Sequence, residues 1–299
     1  MKRIVCYLVT TFALTWILWG TAVSGSVVVG MPMASQLLIG LGMFCPALGV
    51  LVTWLMFRKK QPFHIPFRPH FRGNGKWYVV AWFMPALLTL TGSALYFLVF
   101  RSQLDPQMGY LRELGAAQGV SMSQAQMASS MALQIVAAVV VGPLLNVLAG
   151  AGEEVGWRGF LYPALQEKLS PAGVCLAGGV IWGLWHAPVT MRGHNYGLGY
   201  PGFPWAGVLM MCVFCIGLGT LLHWITQKSG SIWPAALAHG AVNAIAAAPQ
   251  MLLPSAEAGN RLLGPAVSGL LGGLPLLLCA AVLLWRGRQK SSGSVQGKL

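Results

Sequence analysis

Two adjacent carboxylates, Glu153 and Glu154, stand at the end of a long apolar stretch in AGAGEEVGWRGFLYPAL. The whole chain contains only six Asp and Glu residues, and a carboxylate near hydrocarbon costs about 2.5–3.5 kcal/mol on insertion scales. Such residues normally face a protein interior or a water-filled cavity and pair with a partner. Arg158 follows Glu154 by four residues and so lies on the same helical face. This segment is therefore a candidate site of chemistry.

Three further polar groups lie within apolar segments: His186 in GGVIWGLWHAPVTM, and His239 and Asn243 in SIWPAALAHGAVNA. Each also has a structural interpretation, because a buried His or Asn can hydrogen-bond between helices and a Glu–Arg pair can neutralise itself. Together they are the parts of a hydrolytic site. A carboxylate can act as a general base, while a histidine and an amide can stabilise an oxyanion. The same side chains can alternatively bind a divalent metal such as zinc.

The composition indicates which elements must position these groups. The chain has 299 residues, of which 56% are hydrophobic and 8% are charged, whereas soluble domains contain about 25% charged residues. This excludes a soluble enzyme and indicates a polytopic membrane protein. The net charge of +13 would suit nucleic acid, but the basic residues cluster in short segments beside apolar spans. We therefore expect a lipid bilayer, and no nucleic acid, as the partner.

The apolar runs predict an all-α fold, a polytopic transmembrane helical bundle with about eight spans, forming one integral membrane domain over residues 1–299. We expect the first span to be retained and not cleaved as a signal peptide. The segment 153–165 either continues the fourth helix or lies at the interface, and Ser121 or Ser123 begins the helix that leads into that span. The six cysteines lie in apolar segments, and we expect no disulfides. The predicted spans are near residues 4–24, 36–57, 77–100, 130–152, 174–190, 205–226, 232–252 and 264–285.

The distribution of Lys and Arg predicts the orientation. With the N-terminus in the cytoplasm, the inner segments carry fifteen of the 19 basic residues and the outer segments carry four. We therefore expect a multi-pass protein of the cell membrane with both termini cytoplasmic and a short basic tail over residues 286–299. The basic and aromatic segment 58–76 is expected to contact lipid head groups. Because the glutamates follow the inner end of the fourth predicted span, we expect the site toward the cytoplasmic side.

The motifs resemble those of a known family. EEVGWR is similar to the Glu-Glu-x-x-x-Arg motif of the CPBP intramembrane proteases, also called the Abi or CAAX-protease family, which are related to the type II CAAX prenyl endopeptidases. IWGLWHAP resembles the second motif, which ends at His186, and AHGAVN resembles the third, His-x-x-x-Asn. The motif core covers about residues 145–250. The second motif usually has phenylalanine where this chain has Trp182, so the shape of the pocket is the feature that this departure affects.

The resemblance implies a role for each motif residue. Glu153 would activate water with the help of His186, and Glu154 would be oriented by Arg158. The remaining pair, His239 and Asn243, would stabilise the oxyanion. The implied activity is that of an intramembrane endopeptidase acting on a membrane-associated protein or peptide.

The cofactor and the physiological role stay open at this point. Bacterial members of the family are commonly labelled metalloproteases, whereas the prenyl endopeptidase relatives resemble glutamate proteases that need no metal. The sequence contains no His-Glu-x-x-His helix, and we favour the metal-independent reaction, with zinc as the alternative. A non-catalytic protein of the same fold, acting in bacteriocin self-immunity or as a scaffold, is the competing function, and a transporter is a third. Whether the substrate is prenylated is also open.

Overall fold

The computed structural model describes residues 1–24 and 33–296 of the chain. This part folds as a bundle of helices joined by turns and contains no β-strand, so the predicted all-helical class is confirmed. The α-helices are α1 (Lys2–Ala22), α2 (Met33–Gly42), α3 (Cys45–Phe57), α4 (Gly75–Val99), α5 (Gly109–Ala117), α6 (Gln124–Val140), α7 (Gly142–Gly156), α8 (Tyr162–Gln166), α9 (Pro171–Trp185), α10 (Ala187–Thr190), α11 (Trp205–Ser229), α12 (Ile232–Ile245) and α13 (Leu274–Gln296).

Four helical segments of this part are long and apolar enough to cross a membrane, namely α1, α2 with α3, α4 and α11. The bent pair formed by α6 and the helix from Gly142 to Gln166 adds a fifth if it counts as one span. The predicted number of eight is therefore not reached by length and composition. The seventh predicted span is shorter than expected because α12 ends at Ile245, and the eighth begins late because the chain makes turns up to Leu274.

The fourth predicted span is broken between α6 and α7, whose axes differ by 51°. Pro143 stands in the first turn of α7, where proline lacks an N–H and its ring displaces the carbonyl four residues earlier. That carbonyl belongs to Val139, and it accepts a hydrogen bond of 2.8 Å from the indole Nε1 of Trp82. The break is thus a proline kink whose freed carbonyl has a replacement donor.

The ends of two helices agree with the sequence. Ser123 caps α6 and forms a reciprocal capping box with Gln126, as expected for one of the two candidate serines. Beyond Gly156, α7 continues through a π-helical turn over Trp157–Leu161 into α8. Of the two alternatives for segment 153–165, continuation of the fourth helix is therefore correct. All six cysteines are free. The predicted basic tail continues α13 as far as residue 296, and residues 297–299 lie outside the described part.

Close approach of α7 and α12 brings the two motif helices together. A Cβ atom at Gly150 would lie 2.6 Å from the carbonyl oxygen of Ala236, and one at Gly240 would lie 2.9 Å from that of Pro143. Small residues let helix backbones approach in this way in membrane proteins. The consequence is that carboxylates on α7 reach polar side chains on α12.

The bundle has two distinct ends. At one end, which we call the basic end, Arg3 in the first turn of α1 pairs with Glu167. Segment 58–76 leads to the same end, where Asn74 donates to the carbonyl of Ser229 at 2.9 Å. At the opposite end, which we call the loop end, lie segments 100–123, 186–204 and 246–273. There the N–H of Asp105 donates to the carbonyl of Leu252 at 2.8 Å, and the hydroxyl of Tyr196 donates to the backbone carbonyl of Ser268 at 3.0 Å.

Candidate active site

Glu154 is the fully buried centre of a charge cluster. Its Oε1 accepts hydrogen bonds from Arg158 Nη1 at 3.1 Å and from His239 Nδ1 at 2.9 Å. The ion pair with Arg158 is the one that the four-residue spacing predicts, and neither of its side chains has any exposed surface. Glu154 therefore connects α7 to α12 and fixes the orientation of the His239 ring.

Glu153 has one oxygen that is held and one that is not. Oε2 accepts hydrogen bonds from the indole Nε1 atoms of Trp157, at 3.0 Å, and Trp182, at 2.7 Å. The other oxygen, Oε1, lies 3.9 Å from His239 Nε2, which is longer than a hydrogen bond. Within the described residues Oε1 makes no hydrogen bond, so it is free to contact a small molecule such as water.

Trp182 contacts both charges of the cluster. Its N–H points at the carboxylate of Glu153, and its ring face lies 4.4 Å from the guanidinium carbon of Arg158. The ring of Tyr162 lies 4.9 Å from the same carbon. Arg158 Nε and Nη2 have no hydrogen-bond partner in the described part of the chain, and stacking on two aromatic rings is what stabilises this side of the buried cation.

A cavity of about 320 Å³ contains the groups that could perform chemistry. Four of the six predicted residues line it: Glu153 from α7, His186 from the end of α9, and His239 and Asn243 from α12. The other two, Glu154 and Arg158, lie behind the cavity wall. The side chain of Asn243 is exposed and makes no hydrogen bond among the described residues. The structure thus assembles the residues that the sequence placed on three separate segments.

His186 lies in the cavity without a hydrogen bond to Glu153 in the described part of the chain. Its Nδ1 is 2.9 Å from the carbonyl oxygen of Trp182, which requires a proton on Nδ1. In the neutral ring the Nε2 atom then carries a lone pair and is a hydrogen-bond acceptor. The expected cooperation of His186 with Glu153 therefore requires a molecule, such as water, that contacts both side chains.

Sequence reasoning missed three participants. Trp157 was given no role, although it follows Glu153 by four residues and this spacing was a usable signal. Trp182 was expected to affect the shape of the pocket, and its hydrogen bond to Glu153 was not foreseen. His194 lines the cavity, and its ring stacks parallel to that of His186 with centroids 6.5 Å apart. It belongs to the segment between α10 and α11, where desolvation lowers its pKa to about 4, so it is neutral at pH 7. No periodicity in that segment indicated its position.

The cavity has a neighbour at the loop end. It shares His194, Asn195, Ala247 and Gln250 with a second cavity of about 450 Å³, the vestibule, whose lining comes from residue Tyr110 and the segments 193–201 and 247–261. The expected position of the site toward the cytoplasmic side stays a prediction. The fourth span was expected to end near residue 152, whereas the helix continues to Gln166 and places Glu153 inside the bundle.

The cavity contains side chains that can bind metal ions. Catalytic zinc uses three protein ligands, but no group of three or more His, Cys, Asp or Glu side chains is arranged to hold a metal ion within residues 1–24 and 33–296. The Nδ1 atoms of His239 and His186 are bonded to Glu154 and to a backbone carbonyl. Metal-bound histidines make the same kind of bond through the ring nitrogen that does not coordinate, so these bonds do not count against a metal.

Comparison with known proteins supports the resemblance seen in the motifs. The family model described as type II CAAX prenyl endopeptidase Rce1-like matches residues 129–245, a region that includes all six predicted site residues. A protein called CAAX prenyl protease 2 from Methanococcus maripaludis is 31% identical over 88 residues, which are 28% of this chain and 31% of that protein. The match thus covers about a third of the relative's length. Over this region the resemblance to the CAAX-protease family is confirmed.

Proposed function

We propose that the chain, whose motif region matches type II CAAX prenyl endopeptidases, is an intramembrane endopeptidase. It hydrolyses a peptide bond of a membrane-associated protein or peptide with a water molecule activated by Glu153. One observation carries this proposal: Glu153 has one carboxylate oxygen fixed by two indoles and the other free, in a cavity that is also lined by His186, His239 and Asn243. This is the arrangement that general-base hydrolysis needs.

The reaction follows from the positions of these groups. Glu153 Oε1 removes a proton from water as the water oxygen attacks the carbonyl carbon, and the carbonyl oxygen becomes an oxyanion. Asn243 and His239 donate hydrogen bonds to that oxygen, because both line the same cavity as the carboxylate. When the carbon–nitrogen bond breaks, Glu153 returns its proton to the leaving amine. Water is consumed, and a carboxylate and an amine are released.

Glu154 and Arg158 set the charge of the site without touching the substrate. Two carboxylates and one guanidinium leave the buried cluster with a net negative charge, and a protonated His239 makes the cluster neutral. Glu154 accepts the Nδ1 proton of His239 at 2.9 Å, so the second imidazolium proton, on Nε2, points toward Glu153 and the cavity. A buried charge that is paired and hydrogen-bonded in this way is stable in an apolar interior.

His186 positions the water. With its Nδ1 proton donated to the carbonyl of Trp182, its Nε2 atom accepts the water hydrogen that Glu153 does not remove. The reaction as proposed needs no metal ion. We further propose that the protein resides in the cell membrane with both termini in the cytoplasm, on the distribution of basic residues.

The decisive experiment is Glu153→Gln. Glutamine keeps the shape of the side chain and an oxygen for the two indole donors, but it cannot accept the proton of water. Hydrolysis should fall by roughly 10²- to 10⁴-fold, the usual contribution of a general base. Glu167→Gln is the matched control, because it makes the same chemical change at the basic end, where Glu167 pairs with Arg3 on the surface.

The readout is cleavage of a reporter peptide, found by screening a library with the unmodified protein in lipid nanodiscs. Both variants must insert and elute as single species before their rates are compared. Cleavage by Glu153→Gln at the unmodified rate would contradict the proposal. Bacteriocin protection that persists in cells carrying this variant would favour the non-catalytic alternative.

A further inference from the structure

Two amide side chains line the cavity that holds Glu153 and take no part in the proposed reaction. They are Asn195, from the segment between α10 and α11, and Gln250, from the turns that follow α12. Polar groups inside an apolar bundle need hydrogen-bond partners, because leaving them unpaired is costly. The amide atoms that have no partner in the protein therefore indicate what the cavity binds.

Gln250 provides hydrogen-bond donors. It lies in the short turn Ala248–Leu252, and its Oε1 accepts a hydrogen bond of 2.5 Å from Arg261 Nη1. A guanidinium has donors only, so this contact identifies the oxygen of the amide. The guanidinium is itself fixed, because it also donates to the carbonyl of Ala256 at 2.5 Å and lies 5.7 Å from the ring of Tyr110. Gln250 Nε2 makes no hydrogen bond among the described residues and remains as a donor.

Asn195 provides the opposite kind of group. Its Nδ2 donates to Met211 Sδ at 3.5 Å, and a thioether sulfur can only accept, so this contact identifies the nitrogen of the amide. The backbone φ of Asn195 is +67°, a left-handed conformation that asparagine adopts more readily than most residues. The N–H of Gly197 donates to the carbonyl of Gly193 at 3.0 Å and closes the turn. Asn195 Oδ1 makes no hydrogen bond within the described part of the chain and remains as an acceptor.

These amides lie close to the reacting groups. His194, which precedes Asn195, has its ring centroid 6.5 Å from that of His186. Because an extended peptide advances about 3.3 Å per residue, a chain with its scissile bond beside His186 reaches Asn195 within about two or three residues. The main-chain groups nearest to Asn195 are then those that flank the scissile bond.

We propose that Gln250 and Asn195 bind the main chain of a peptide in this cavity, with Gln250 donating to a peptide carbonyl and Asn195 accepting from a peptide N–H. Every residue except proline supplies one N–H and one C=O, so a donor and an acceptor together suit a polypeptide of any side-chain sequence. A hydrocarbon chain supplies neither group. That the peptide is the substrate rests on the proposed function, whereas its binding does not depend on catalysis.

The donor is tested by a binding measurement that needs no cleavage. Fluorescent peptides are selected from a library for binding to the Glu153→Gln protein in lipid nanodiscs, and anisotropy gives their Kd. Adding Gln250→Glu keeps an oxygen for Arg261 but removes the N–H donors, so the Kd should rise by about 2- to 12-fold or more, the contribution of one neutral hydrogen bond. The matched control is Gln118→Glu, the same change at an exposed side chain of the loop end, which should leave the Kd unchanged.

The acceptor is tested by combining a change in the protein with a change in the peptide. Asn195→Gly permits the left-handed backbone and removes Oδ1, so the Kd should rise by about 2- to 12-fold. Replacing one peptide amide at a time by an ester removes one N–H. At one position the ester should raise the Kd of the protein that retains Asn195 and leave that of Asn195→Gly unchanged. A purely structural role of Asn195 would give the same ester effects in both proteins.

The outcomes separate this inference from the proposed function. An unchanged Kd in Gln250→Glu, ester effects that do not depend on Asn195, or a library without any binding peptide would overturn the inference. Hydrolysis is measured separately, by adding the selected peptides to the unmodified protein. Peptides that bind through both amides but are not cleaved would support the binding site and refute the proposed function. Cleavage of peptides whose Kd neither variant alters would refute the inference and support the protease.

Discussion

Replacing Trp182 with phenylalanine should separate the hydrogen bond of this side chain from its packing. The substitution keeps an aromatic ring beside Arg158 but removes the indole N–H that lies 2.7 Å from Glu153 Oε2. Only the bond from Trp157, at 3.0 Å, then orients the carboxylate. A carboxylate held by one donor samples positions from which Oε1 no longer faces the attacking water.

The size of the effect follows from the lost bond. A hydrogen bond to a charged group contributes about 1.5–3 kcal/mol, and each 1.4 kcal/mol is a tenfold change in rate. The kcat of Trp182→Phe should therefore fall about 10- to 150-fold. The KM should change little, because the bond orients the base and does not hold the substrate.

The chain provides a matched control for this experiment. Trp185 lies three residues later on α9, is equally buried, and donates its N–H to the hydroxyl of Thr15 at 2.8 Å. Trp185→Phe thus removes one buried indole donor without touching Glu153, and its kcat should stay within a few-fold of the unmodified value. The assay is reporter-peptide hydrolysis in nanodiscs over a range of concentrations. Equal losses of kcat in the two variants would refute the orienting role of Trp182.

Three further predictions concern stability and metal. Arg158→Met leaves the carboxylate of Glu154 buried without a cation and should lower the free energy of unfolding by about 3–5 kcal/mol. Arg3→Met removes the partner of an exposed carboxylate, Glu167, and should lower it by about 0–1 kcal/mol. Chemical unfolding in detergent measures both values, and equal costs would contradict the difference in burial of the two carboxylates. Gly150→Ala crowds a backbone carbonyl and should cost about 1–3 kcal/mol, while Gly20→Ala, with open space around it, should cost nothing in the same measurement. A zinc chelator should leave the hydrolysis rate unchanged; loss of activity that zinc restores would require a metal-dependent reaction.

Local patterns in the sequence predicted the parts of the site that depend on one helix. The Glu154–Arg158 pair follows from a four-residue spacing, and the shared face of His239 and Asn243 follows from the same rule. The capping box at Ser123 is also local, because its partner is three residues away. These contacts are fixed as soon as the helix forms, so the sequence contains all the information needed.

Contacts between distant segments were not accessible in the same way. The hydrogen bond from Trp182 to Glu153 joins residues that are 29 apart in the sequence. Nothing in the sequence of an apolar helix indicates whether the N–H of a tryptophan bonds to a carboxylate on another helix. The position of His194 depends on the path of the segment after α10. The kink at Pro143 was visible in principle, but the apolar run around it concealed it.

The π-helical turn over Trp157–Leu161 makes the geometry of the site depend on the number of residues in this turn. It accommodates one residue more than an α-helical turn, and Arg158 lies within it while Tyr162 follows it. Deleting Gly159, Phe160 or Leu161 would allow a regular α-helix and would bring Arg158 and Tyr162 from four residues apart to three. The stacking of Tyr162 on Arg158 therefore depends on the number of residues in this turn as well as on their types.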